Sequence, residues 1–154
     1  MPRPYNVINI NGHIVPATFP DGLKKILQDV QTGRTGASAH AKYRRKLGGT
    51  ACMCAIGTFF TDAQLDQIVA RRWNGADANA LANAIGAKNM EAMIGMEVGV
   101  AGVVQSDFDF FSNFSSGNLN GFTDRLRGML DTTTNRPNPA TKHTGAWHFP
   151  VSGQ

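Results

Sequence analysis

Cysteine is nearly absent from the 154-residue chain: Cys52 and Cys54 are the only two, and one residue separates them. A bond between them would close a small strained ring, so no disulfide framework is expected, and reduced thiols in a reducing compartment are the simpler account. Charge is scarce as well, at 17% of residues, which leaves little material for helices laced with surface ion pairs. No apolar run approaches the roughly 18 residues of a membrane span. The N-terminal Met1-Pro2-Arg3-Pro4-Tyr5 carries no apolar signal core. These absences predict an intracellular, cytoplasmic chain with no membrane partner. Neither Gly48-Gly49 nor Gly33-x-x-Gly36 is followed by Gly-Lys-Ser/Thr or framed by a strand and helix in dinucleotide order, which removes support for nucleotide hydrolysis. No internal repeat of about 20–50 residues is evident, and no shift of composition marks a boundary, so residues 1–154 are read as one domain.

The residues present suit a globular protein. The apolar fraction is 42%, and a chain of this length can bury roughly 70% of its extended-chain surface. Seventeen glycines, above the usual 7% or so, predict many turns and interrupted helices. Asn11-Gly12 between Val7, Ile8, Ile10 and Ile14, Val15 has the signature of a type I′ hairpin. Leu23, Ile26, Leu27 and Val30 predict a helix over 21–31, with Gly33 beyond its end. Residues 37–47 are expected to form a short basic helix bounded by Gly48-Gly49. Thr61-Asp62-Ala63-Gln64 forms a capping box before a helix carrying Leu65, Ile68, Val69 and Trp73. Two short helices are expected over 76–85 and 89–96, a strand or buried turn over 98–104, and a helix over 118–130. An extended loop over 132–142 and a short edge strand over 146–149 complete the reading. The fold class is α+β: mainly helical, with an N-terminal β-hairpin and a short C-terminal strand.

Charge is distributed unevenly. Residues 1–50 hold eight Lys/Arg against two Asp, whereas residues 51–100 hold three against five Asp/Glu. An anion-attracting surface should therefore come from the first third of the chain. Arg34, His40, Lys42, Arg44, Arg45 and Lys46 fall in a stretch without an acid. Arg34, Lys42, Arg44, Arg45 and Lys46 are the candidate partner- or anion-binding residues. The pI of about 9.4 also fits a nucleic-acid-binding protein, although no recognised nucleic-acid fold motif is present.

Other candidates read more simply as packing. Cys52 or Cys54 as a nucleophile needs a base and a lowered pKa, and no cysteine-enzyme signature surrounds them. Cys54 beside Ala55 and Ile56 reads as a small buried hydrophobe. A zinc set of Cys52, Cys54, His143 and His148 is disfavoured because structural zinc pairs usually have two to four intervening residues. Asp107 and Asp109 would share a face if they lay on a strand, and the Phe108, Phe110, Phe111 and Phe114 cluster reads as core. No metal, cofactor or catalytic residue is assigned, and the enzymatic reading is the less favoured one.

The segment from Lys42 to Asp62 resembles a group of small phage and prophage accessory proteins. These share a basic, glycine-containing lead-in, a Cys-Ala-Ile/Val-Gly step and an acidic residue shortly after. Here those are Cys54-Ala55-Ile56-Gly57 and Asp62. A later helix in the group resembles Arg125-Leu126-Arg127-Gly128-Met129-Leu130-Asp131, with His-Asp where this chain has Leu130-Asp131. The resemblance implies a phage-encoded protein and transfers no chemistry. The expectation is a non-enzymatic protein whose basic stretch 34–46 binds an acidic surface of a host protein and modulates it, for instance as an inhibitor of a defence system. A small basic nucleic-acid-binding protein and a virion component remain the alternatives.

Overall fold

The computed structural model describes residues 5–10, 13–35, 43–47, 50–60, 62–114 and 119–138. The fold is mainly helical with an N-terminal two-stranded antiparallel hairpin, an α+β arrangement. Strands β1 (Val7–Ile10) and β2 (His13–Pro16) pair in the register Val7 to Pro16 and Ile10 to His13. Helix α1 (Phe19–Gln31) starts earlier than its apolar period suggests. Pro20 sits in the first turn, where its missing N–H costs nothing. The Thr18 hydroxyl accepts from the Asp21 amide (3.2 Å) and donates to the Asp21 carboxylate (2.6 Å). The other Asp21 oxygen accepts from the Asn6 amide (2.9 Å), which fastens the hairpin to the helix start. Gly33 takes a φ of 81° just past the helix end, the left-handed geometry that glycine adopts without penalty.

The stretch expected as a basic helix is a strand where it is described. β3 (Arg44–Leu47) pairs antiparallel with β4 (Thr50–Met53), Arg45 opposite Cys52 and Lys46 opposite Ala51. Tertiary partners decide this against the helical preference of Arg, Lys and Leu. Asn74 serves the far edge of β3 as a third strand would. Its side-chain oxygen accepts from the Arg44 amide (2.9 Å), its side-chain nitrogen donates to the Arg44 carbonyl (2.7 Å), and its carbonyl accepts from the Tyr43 amide (3.0 Å).

After a 3-10 turn at Gly57–Phe59 come α2 (Asp62–Ala70), α3 (Ala78–Ile85) and α4 (Ala87–Ile94). The capping box at Thr61 lies outside the described residues. Residues 98–104 open a long helix, α5 (Val98–Phe114), rather than a strand or turn. Ala101, Val104, Gln105, Phe108 and Ser112 are its buried positions, and their three- and four-residue spacing overrides the strand preference of valine. Helix α6 (Asn120–Thr132) follows. Its Phe122 meets Phe108 edge-to-face, with ring centroids 5.5 Å apart.

One core joins these elements, with Leu23, Ile26, Ile56, Leu65, Leu81 and Met90 at its centre. α1 packs on α6, α3 on α5, and α4 on β2. Residues 133–138 return past the start of α1, where the Arg136 carbonyl accepts from the Phe19 amide (2.8 Å) and the Ala17 carbonyl from the Asn138 amide (3.0 Å). Buried Asn138 donates to the carbonyls of Pro16 (2.7 Å) and Ala92 (2.9 Å) and so ties β2 to α4. The strand expected over 146–149 lies outside the described residues. Among the described residues, no helix is long and apolar enough to cross a membrane.

Candidate functional site

The best-defined concavity lies between the N-terminal hairpin, α1 and the 3-10 turn, with a volume of about 260 Å³. Its floor is a network of charged and hydroxyl groups taken from elements far apart in sequence. Lys25 and Asp29 stand one turn apart on α1 and pair at 2.7 Å. The Lys25 ammonium also donates to the Thr58 carbonyl (3.1 Å) and hydroxyl (3.2 Å), and it lies 4.5 Å from the centre of the Phe59 ring. The Thr58 hydroxyl donates to the same Asp29 oxygen that Lys25 engages (2.6 Å). All three Lys25 protons are therefore used. Burial lowers the Lys25 pKa, and the Asp29 charge opposes that shift.

Arg34 stands at the mouth. Its side chain is 57% exposed, and its Nε lies 3.8 Å from Asp29 Oδ1, too far for a hydrogen bond. Among the described residues this is its one ion pair, and its charge also works against that of Lys25. Lys25, Arg34 and Asp29, which is shared between them, leave one net positive charge among the described residues that line the cavity. Asp29 Oδ1 makes no hydrogen bond to a described residue, so an acceptor faces the space beside Arg34. Val7, Ile14, Pro16 and Met93 supply apolar wall.

The remaining predicted contact residues are placed differently. Arg44 points inward: its side chain is 9% exposed, and its guanidinium donates to Asp66 on α2 at 2.6 Å. Arg45 and Lys46 occupy strand positions, while their side chains, and all of Lys42, lie outside the described residues. Among the described side chains, Arg34 is the one of the five that lines the cavity. Lys25, Asp29 and Thr58 were not singled out from sequence. The i, i+4 Lys–Asp pair was visible there, but the turn that brings Thr58 to it was not.

No family model, curated protein or solved structure matches the chain. The functional reading therefore rests on the residues themselves.

Cys54 is core, as the sequence reading had it. It is 1% exposed, and burial pushes its thiol pKa up to about 12. A thiol held protonated at neutral pH is a poor nucleophile. Among the described residues, no group of three His, Cys, Asp or Glu is placed to hold a metal ion; His143, His148 and the Cys52 side chain lie outside them.

Asp107 and Asp109 do not converge, because residues two apart on a helix diverge. Asp107 accepts from Arg125 on α6 (3.1 Å). Among the described residues, one buried Asp109 oxygen has no hydrogen-bond partner, while the hydroxyl of fully buried Tyr43 has only the Gln105 side chain to favour its ionised form. Burial raises both pKa values. For Asp109 the raised folded-state pKa means that ionisation opposes folding. The cost is complete above the folded pKa, fades as pH falls through it, and is gone below the unfolded value near 3.8. Asp109→Asn should therefore stabilise the protein at pH 7 by about 1 kcal/mol, near the low end for an unpaired polar group because the residue is partly exposed. That gain should shrink toward pH 3.5. Thermal melts across this range test it, and a pH-independent gain would contradict the assignment.

Proposed function

We propose that this chain acts by binding, and that the cavity at Arg34 receives an acidic group of a partner protein. The observation that carries the reading is the Arg34 guanidinium at the mouth of a cavity whose other charges cancel. An exposed cation that shares its one carboxylate with Lys25, beside an apolar wall, attracts an anion and gives it a fixed place. The interior network adds rigidity, because Lys25, Asp29 and Thr58 hold the walls in position before anything binds. Buried, protonated Cys54 offers no support for a thiol-based reaction. A phage-encoded modulator of a host protein is the setting that fits this reading, on the strength of the Cys54-Ala55-Ile56-Gly57 likeness.

Fluorescence anisotropy with labelled acidic peptides tests the proposal. Wild-type protein should bind, and Arg34→Glu should bind at least about tenfold more weakly, since charge-assisted contacts of this kind carry that much affinity. Arg34 is exposed, so the variant should melt at the wild-type temperature. Equal binding by both proteins would refute the role of Arg34. The same titration with duplex and single-stranded DNA addresses the nucleic-acid alternative, for which affinity should fall steeply with salt.

A further inference from the structure

The cavity's polar groups specify more than a negative charge, and the geometry points to a chain-terminal α-carboxylate of a partner protein as the group it receives, with an apolar final side chain. This rests on the binding reading above and narrows it. Three features converge. The described lining residues Lys25, Asp29 and Arg34 sum to one positive charge, so the occupant should be a monoanion; a free amino acid, whose ammonium would sit near Lys25 as well, fits less well. Asp29 Oδ1 lies 3.8 Å from the Arg34 Nε and has no hydrogen-bond donor among the described residues. An occupant that carries a donor close to its carboxylate satisfies both groups at once, and the final residue of a polypeptide does so with its own backbone N–H. The third feature is the wall. Ile14, 54% exposed, with Val7, Phe59 and Met93 gives an apolar surface beside the charge.

Size agrees. At about 260 Å³ the space lies just below the range of roughly 300–1,000 Å³ found for drug-sized ligands. It has room for one residue rather than a folded segment. An acidic side chain within a partner would bring the charge, but it would not bring an apolar group on the same residue. Capture of terminal carboxylates is an established mode of peptide recognition, and here an arginine and a buried carboxylate would do the work.

Four labelled hexapeptides decide the matter with wild-type protein. The first has a free carboxylate after a terminal leucine and no other acid. The second is its C-terminal amide. The third replaces the last peptide bond by an ester, removing the N–H. The fourth is amidated and carries two internal glutamates. The first should bind. The amide should lose at least about tenfold, and the ester a smaller, severalfold amount. Ile14→Trp, which fills the mouth from an exposed position, should block the first peptide while leaving the melting temperature unchanged. Equal binding of the first two peptides would overturn the inference. Tight binding of the fourth peptide alone would overturn it too, and would leave the Arg34 reading standing. Binding by none of the four would remove both. Equal binding of the ester would overturn the role given to Asp29.

Discussion

Gly57→Ala should destabilise the fold by about 3 kcal/mol or more, at the upper end of what overpacking a core costs. A Cβ at this position would lie 2.0 Å from the Tyr43 carbonyl oxygen, 2.9 Å from its carbon and 3.2 Å from the Tyr43 Cα. All three are backbone atoms, so no rotamer change relieves the clash. Moving Tyr43 away is resisted on both sides. Its amide donates to the Asn74 carbonyl, and the next residue is held by the Asn74 side chain. Its ring is fully buried and meets Phe60 edge-to-face at 6.0 Å. For a chain of this size the loss corresponds to a fall in melting temperature of about 10 °C. A fall of less than about 3 °C would show that the two backbones are not in contact.

This result gives the Cys54-Ala55-Ile56-Gly57 step a physical meaning. A glycine is required either by a positive φ or by a close backbone approach, and at Gly57 it is the second. Gly57 is not among the glycines with positive φ. Cys54, Ala55 and Ile56 are each at most 1% exposed. The step is a plug that lets the start of β3 lie directly against the 3-10 turn, and its cysteine contributes volume rather than reactivity.

Elements whose apolar period matches their conformation were legible in sequence: the β1–β2 hairpin, α1, the short α3–α4 pair and α6. Helix α5 and the β3–β4 hairpin were not, for different reasons. In α5 the valines and glycines at its start suggest a strand, yet Ala101, Val104, Gln105 and Phe108 already carry the helical period. A window extended past Gly102 would have found it. In β3 the local signal favours a helix, and the decisive partner, Asn74, lies thirty residues away. Gly48-Gly49 between two four-residue runs was the local hint of a hairpin. The site was legible in part. Arg34 was marked by charge, and the inward turn of Arg44 toward Asp66 could not be read from charge alone. The cavity itself depends on Thr58 reaching α1 across 33 positions, which no local pattern encodes.

The network under the cavity yields the second large effect. Asp29→Ala should cost about 3–5 kcal/mol, the usual penalty for stranding a buried charge. The carboxylate is 5% exposed and accepts from Lys25 and Thr58 at 2.7 and 2.6 Å. Without it, the Lys25 ammonium, itself only 15% exposed, keeps the Thr58 oxygens but loses its counter-ion, and the Arg34 charge now opposes it. The Lys25 pKa, already lowered by burial, loses what Asp29 does to raise it. Its folded value in the variant then lies further below the unfolded 10.5. Between those two values the unfolded chain binds more protons than the folded one, so stability rises with pH. The deficit of Asp29→Ala should accordingly be largest at pH 7 and smaller at pH 10. Adding Lys25→Met removes the stranded charge and should recover part of the loss at pH 7, where the two single substitutions taken independently would add. Strict additivity, or a deficit unchanged between pH 7 and pH 10, would mean that Lys25 finds water when Asp29 is gone and that the cavity floor is wetter than its burial implies. Recovery in the double variant would instead identify the pair as a device that cancels charge beneath Arg34, leaving that guanidinium as the cavity's working cation.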